Sequence, residues 1–127
     1  AFGGFCVKSR QDGKGVFFNP QGKVSLPPPH HLKPETDWPS SPWYDYTIAL
    51  ADGQTAGIAV MNHPENPATK WHNLISIAMI NPCIVANGPL KLKKDQTLSL
   101  RYRLVVHDGR APEKLLQTLS SDWRGSE

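Results

Sequence analysis

Apolar and polar side chains alternate through residues 43–51, with Tyr44, Tyr46, Ile48 and Leu50 on one side and Asp45, Thr47 and Ala49 on the other. A period of two is the mark of a β-strand. After the turn dipeptide Asp52-Gly53, residues 55–63 keep that period but are apolar on both sides. Gly57, Ala59 and Met61 share a face with His63, while Ala56, Ile58 and Val60 take the other, which predicts a central strand. Residues 97–107 alternate most clearly. Leu98, Leu100, Tyr102, Leu104 and Val106 are expected to meet the core, and Ser99, Arg101, Arg103 and His107 to meet solvent. Shorter β-type runs occupy residues 5–8 and 15–18, separated by Asp12-Gly13, and apolar runs at 74–80 and 83–86, closed by Asn87-Gly88, predict further strands. Beyond Pro112, Leu115, Leu119 and Trp123, with Leu116 beside them, recur at helical spacing and predict one short amphipathic helix near the C-terminus.

Residues 20–42 break the pattern. They carry seven of the twelve prolines, including Pro27-Pro28-Pro29, and are expected to form a long extended loop that supports neither a helix nor a central strand. The chain of 127 residues suits one domain around one core, and its 22 glycines and prolines favour turns over long helices. The expected fold is therefore mostly β: an antiparallel β-sandwich spanning residues 1–127, with a long proline-rich loop and a short C-terminal helix. No apolar run approaches the roughly 18–20 residues that a membrane-spanning helix requires, so no membrane partner is expected.

Charge and cysteines narrow the chemistry. The net charge of +3 includes a lysine cluster at Lys91, Lys93 and Lys94, but the aromatics Trp38, Trp43, Tyr44 and Tyr46 lie elsewhere in the sequence. A nucleic-acid surface interleaves the two, so no nucleic-acid partner is expected. Cys6 and Cys83 have no CxxC spacing and read as buried thiols, with one bridge between them open if the protein is exported. His30-His31, His63, His72 and His107 match no common zinc spacing, and there is no phosphate-cradling GxxxxGK[ST], GxGxxG or GxSxG. Neither a metal nor a cofactor is expected.

The densest set of polar and ring side chains is Asn62-His63-Pro64-Glu65-Asn66-Pro67 with Trp71-His72, directly after the central strand. A rigid strand end is where a scaffold presents reactive groups, and an imidazole there can act as acid or base. His63 is the candidate acid or base, Asn66 a hydroxyl ligand, and Trp71 a stacking surface for a sugar ring. The same residues also suit a purely structural role in which His63 and Asn62 tie down the turn and Trp71 closes the core. Arg103 and His107, on one face of one strand with Arg101, would supply anion or hydroxyl recognition, with Arg103 steadying developing negative charge and His107 a second candidate catalytic group; a plain solvated sheet face explains the arginines equally well.

These segments carry a resemblance. Asp52-Gly53 with Ala56-Gly57-Ile58-Ala59, then residues 62–67, Trp71-His72, Asn81-Pro82 and residues 100–109, resemble the PmoA-like bacterial family, which is called methane oxygenase-like; Gly3-Gly4-Phe5-Cys6-Val7 resembles an internal segment of it. The resemblance implies a β-sandwich in a periplasmic or secreted protein near carbohydrate utilisation. It also implies that the chain is the C-terminal part of something longer, whose N-terminal part would be a partner. The oxygenase activity in the family's name is not expected, since a membrane copper oxygenase needs spanning helices. Asn62-His63 is also similar to the Asn-His loop of sugar mutarotases, where histidine shuttles a proton, with a departure at Pro64. Two functions follow as expectations: sugar processing by histidine-mediated proton transfer on a small-molecule or oligosaccharide ligand, or a non-catalytic glycan-binding or structural module.

Overall fold

The computed structural model describes residues 3–10, 14–25 and 33–125. Its largest element is a five-stranded antiparallel sheet built from β2 (Lys14–Asn19), β3 (Gly22–Val24), β4 (Trp43–Ala49), β5 (Thr55–Asn62) and β9 (Tyr102–Asp108), in the order β3-β2-β4-β5-β9. Two small antiparallel ladders accompany it: β1 (Val7–Lys8) with β7 (Met79–Ile80), and β6 (Lys70–Trp71) with β8 (Pro82–Cys83). The chain is mostly β, its sheets are antiparallel, and it carries a C-terminal helix, α2 (Glu113–Gly125).

Alternation on β4 and β5 sorts the core into two layers. One sheet face carries Phe17, Tyr44, Tyr46, Ile48 and Val60 and packs against Trp71, Ala78 and Ile80 from the small ladders and their connections. The opposite face carries Phe18, Trp43, Ala59 and Met61 and packs against Leu116, Leu119 and Trp123 of α2. A pleated strand sends successive side chains to opposite faces, so β5 can be apolar on both sides only because each face has its own cover.

Tyr46 lies across Gly15. A Cβ added there would come within 1.9 Å of the ring's Cζ and Oη, so the strand accepts the ring only where a side chain is missing. Gly15→Ala is expected to cost about 1–3 kcal/mol in urea unfolding; an unchanged midpoint would show that the ring can swing away.

Four sequence expectations need correction. Over residues 103–107 the two sides are covered in reverse, although Tyr102 packs on the core and Ser99 and Arg101 are exposed as expected. Ladder formation begins only at Tyr102, Leu104 and Val106 stand 45% and 78% exposed, and Arg103, Val105 and His107 are partly covered. The alternation was sound, but the short ladders stop before this edge strand while α2 reaches across the other face. Residues 74–80 do not form one strand. A 3-10 turn at Ile75–Ile77 interrupts them and ends on Ala78 with φ of 48°, and residues 84–88 turn instead of extending, with the Gly88 N–H donating to the Val85 carbonyl.

Third, the proline-rich stretch contains the edge strand β3 and a single helical turn, α1 (Pro34–Asp37), which starts on proline, the residue whose missing N–H costs nothing at a first helical position. Pro27-Pro28-Pro29, His30-His31 and Asp12-Gly13 lie outside the described residues. Cys6 and Cys83 are both free thiols, and Cys6 is exposed where a buried thiol was expected. Among the described residues no helix is long and apolar enough to cross a membrane.

Candidate functional site

The loop after β5 is held by its own amides. Asn66 donates from Nδ2 to Asn62 Oδ1 at 2.7 Å and to the Arg101 carbonyl at 2.8 Å, and its Oδ1 accepts the Arg101 N–H at 2.8 Å. Two ends of one side chain thereby stitch the loop to the segment entering β9, and Asn66 is buried. Asn66→Asp would set carboxylate oxygens against two oxygens they cannot donate to. A loss of about 2–3 kcal/mol is expected in thermal or urea unfolding; a neutral result would mean that the loop has another anchor.

His63 is 1% exposed. Its Nδ1 accepts the Glu65 N–H at 3.2 Å, and a backbone N–H can only donate, so the neutral ring carries its proton on Nε2. That Nε2 is buried with no hydrogen-bond partner, and the ring stands edge-on to Trp123 of α2, with centroids 4.9 Å apart. The Glu65 carboxylate binds Arg101 Nη1 at 2.5 Å and lies 3.6 Å from His63 Nδ1.

Arg103 reaches the same tryptophan. Its guanidinium sits 5.2 Å from the Trp123 ring centroid and donates to the Leu119 carbonyl at 3.2 Å. His63 and Arg103 therefore meet at Trp123. His107 is not part of that group. It is four residues along β9 from Arg103, about 13 Å at strand rise. Trp71 is on the other face of the sheet, 1% exposed, against Tyr44 at 5.1 Å between centroids, with its Nε1 donating to the Ser41 carbonyl at 2.7 Å. A ring enclosed in this way offers no open face for stacking. His72 is also interior, stacked on Trp38 at 4.0 Å.

His107 belongs to a separate buried cluster. Its Nε2 contacts Asp45 Oδ1 at 2.5 Å, and Thr47 Oγ1 donates to Asp45 Oδ2 at 2.6 Å. Asp45 is fully buried. Burial pushes its carboxyl above the ordinary value, against the opposing pull of the Thr47 and His107 hydrogen bonds. Gly57 on the intervening strand makes room for the pair, since a Cβ there would fall 2.5 Å from the His107 ring and 2.8 Å from Thr47 Oγ1.

An open hollow of about 360 Å³ lies beside the loop. Its walls include Ser41, Asn62, His63, Asn66, Thr69 and Arg124, and Arg124 is the only permanently charged group among the described residues that line it. Arg124 donates from Nη1 to the Asn62 carbonyl at 3.0 Å, which leaves other guanidinium N–H groups facing no described partner. Ser41 and Thr69 spend their hydroxyl protons on the carbonyls of Trp43 and Pro67, both at 2.7 Å, and keep lone pairs free. The hollow thus donates through a guanidinium and accepts through hydroxyls.

Two functional groups escaped the sequence. Asp45 had a usable signal, an acid between two tyrosines in a strand whose remaining members, Thr47 apart, are apolar. Arg124 had none, because only the docking of α2 brings residue 124 beside residue 62. No group of three or more histidine, cysteine or acidic side chains able to hold a metal occurs among the described residues.

No curated protein and no solved structure matches the chain. A model of a family of unknown function, DUF6807, matches residues 1–121. On that match, which takes in every strand and most of α2, the chain belongs to the family DUF6807.

Proposed function

We propose that this chain is a carbohydrate-related binding module that takes a small hydroxylated acid, in the class of sugar acids, in the hollow between the post-β5 loop and the end of α2. The observation that carries the reading is the charge and hydrogen-bond character of the walls. One guanidinium with unspent donors faces hydroxyl oxygens with unspent lone pairs. A carboxylate fits the first and sugar hydroxyls fit the second. The volume of about 360 Å³ is in the range of small-ligand sites.

Binding without turnover is the favoured form of this reading. Proton transfer by His63 needs a ring nitrogen within reach of the ligand; Nδ1 is taken by the Glu65 N–H, and Nε2 is buried. His63 then acts as a positioning residue for the loop, and Arg103 as an anchor for α2. The PmoA-like kinship and a periplasmic or secreted location belong to the same proposal, supported by the motif segments 62–67 and 100–109.

Calorimetry tests it. Glucuronate is expected to bind with a dissociation constant of about 0.1–1 mM, glucose at least about tenfold more weakly, and neither is consumed. Arg124→Gln is expected to remove the preference for the acid. Equal affinity for acid and neutral sugar, or any turnover abolished by His63→Gln, would overturn it.

A further inference from the structure

His63 Nδ1 faces two groups of a single residue. It accepts the Glu65 N–H at 3.2 Å, and Oε2 of the Glu65 carboxylate lies 3.6 Å away. These groups ask for opposite protonation states, because an N–H needs a lone pair on Nδ1 and a carboxylate needs a proton there. In the neutral ring the proton is on Nε2, and the amide wins. A second proton goes only to Nδ1 and so acts at this one contact. Two donors then face each other at 3.2 Å, and the bond that holds the turn becomes a repulsion.

The carboxylate is within reach to take over. The Glu65 side chain is 57% exposed and that of its partner Arg101 45% exposed, and an ion pair in such a setting is weakly held. Drawing the carboxylate in from 3.6 Å to the charge-assisted range of about 2.7–2.9 Å gives the imidazolium a partner where an unpaired buried charge is costly. The other charged groups around the ring are Arg101 and Arg103 on the β9 side, and Arg124 with the exposed Asp122 at the end of α2. Against three guanidinium groups, the Glu65 carboxylate is the counter-charge in contact range of the ring.

We propose that the post-β5 turn is a proton-operated switch: neutral His63 holds the Glu65 amide, and the imidazolium holds the Glu65 carboxylate instead, which leaves Arg101. His63 and Asn66 line the hollow, and the Asn66 N–H bonds the His63 carbonyl at 3.0 Å across the same turn. The switch therefore reshapes one wall of the proposed binding site. Histidine is the side chain whose charge ordinarily changes between about pH 5 and 8, so mild acid is the trigger. The switch belongs to the loop with the hollow empty and stands apart from the sugar-acid reading.

The test titrates nitrogen-15 labelled protein, without ligand, from about pH 8 to about pH 5. At the upper end His63 Nδ1 is expected to show the chemical shift of an unprotonated acceptor, and Nε2 that of an N–H. On acidification Nδ1 should gain its proton. In the same step the Glu65 amide should exchange about tenfold faster relative to its intrinsic rate, and the Arg101 guanidinium signals should shift. Glu65→Gln keeps the amide and removes the carboxylate, so it should retain the first response and lose the second. His63→Gln should lose both; should it fail to fold, Glu65→Gln, at an exposed side chain, carries the test. A proton on Nδ1 at the upper end, a His63 ring that stays neutral to the lower end, a Glu65 amide that ignores the titration of the ring, or an Arg101 response that persists in Glu65→Gln would overturn the proposal. Failure of glucuronate to bind would leave all of these signals as expected, so the ligand reading and the switch fail separately.

Discussion

His107→Ala is expected to lower the unfolding free energy by about 3–5 kcal/mol at neutral pH, because it strands a buried carboxylate. Asp45 is fully enclosed and has two partners, the His107 ring and the Thr47 hydroxyl. Only the hydroxyl remains in the variant. The pH dependence has a definite sign. Burial already holds the Asp45 carboxyl above its ordinary value in the folded chain, so folding disfavours the ionised form. Its contribution is most favourable below the unfolded carboxylate range near about 4 and is lost as pH rises through the raised value. Removing His107 removes one of the influences that pull the value down, so the variant's deficit should widen from pH 4.5 to pH 7.5. Asp45→Asn in the same background should recover part of it, since an amide carries no charge to desolvate. Urea unfolding at the two pH values decides the matter, and an equal deficit at both would mean that Asp45 is not ionised against its surroundings.

Trp71→Ala is expected to cost about 3–5 kcal/mol, which is much of the 5–15 kcal/mol that typically holds a domain together. Trp71 is nearly fully enclosed, packs on Tyr44 and hydrogen-bonds the Ser41 carbonyl. Trp71→Phe keeps most of the ring and loses the hydrogen bond, so about 2 kcal/mol is expected. The pair of variants separates packing from ligand stacking. If Trp71→Phe leaves stability unchanged but destroys sugar-acid binding, the tryptophan is a ligand platform after all; if both variants lose stability in the expected order and Trp71→Phe still binds, it is core.

The fold was most legible where one strand's pattern stood by itself. On β4 and β5 the period of two assigned the faces correctly, because both faces are buried by separate layers and the pattern had one consistent solution. On β9 the same period was visible, but which face would be covered depended on how far the small ladders and α2 extend, a tertiary fact that alternation does not encode. Residues 74–80 misled because a short apolar run is compatible with a strand or a turn in the core, and the left-handed Ala78 that breaks it leaves no mark in its side chain.

The candidate site divides in the same way. His63 and Asn66 act within one loop, so their sequence neighbourhood identified them. The Asp45 and His107 pair, 62 residues apart, and the Arg124 contact with Asn62, also 62 apart, exist only through sheet register and helix docking.

The central claim is that the hollow beside Asn62 receives a carboxylated, hydroxyl-bearing ligand through Arg124. Titrating glucuronate into nitrogen-15 labelled protein while following backbone amides tests it most directly. The account predicts saturable shifts confined to the neighbourhood of Asn62, Asn66, Thr69 and Arg124, absent in Arg124→Gln. Shifts centred on Asp45 and His107, or shifts at the hollow that persist unchanged in Arg124→Gln, would contradict it.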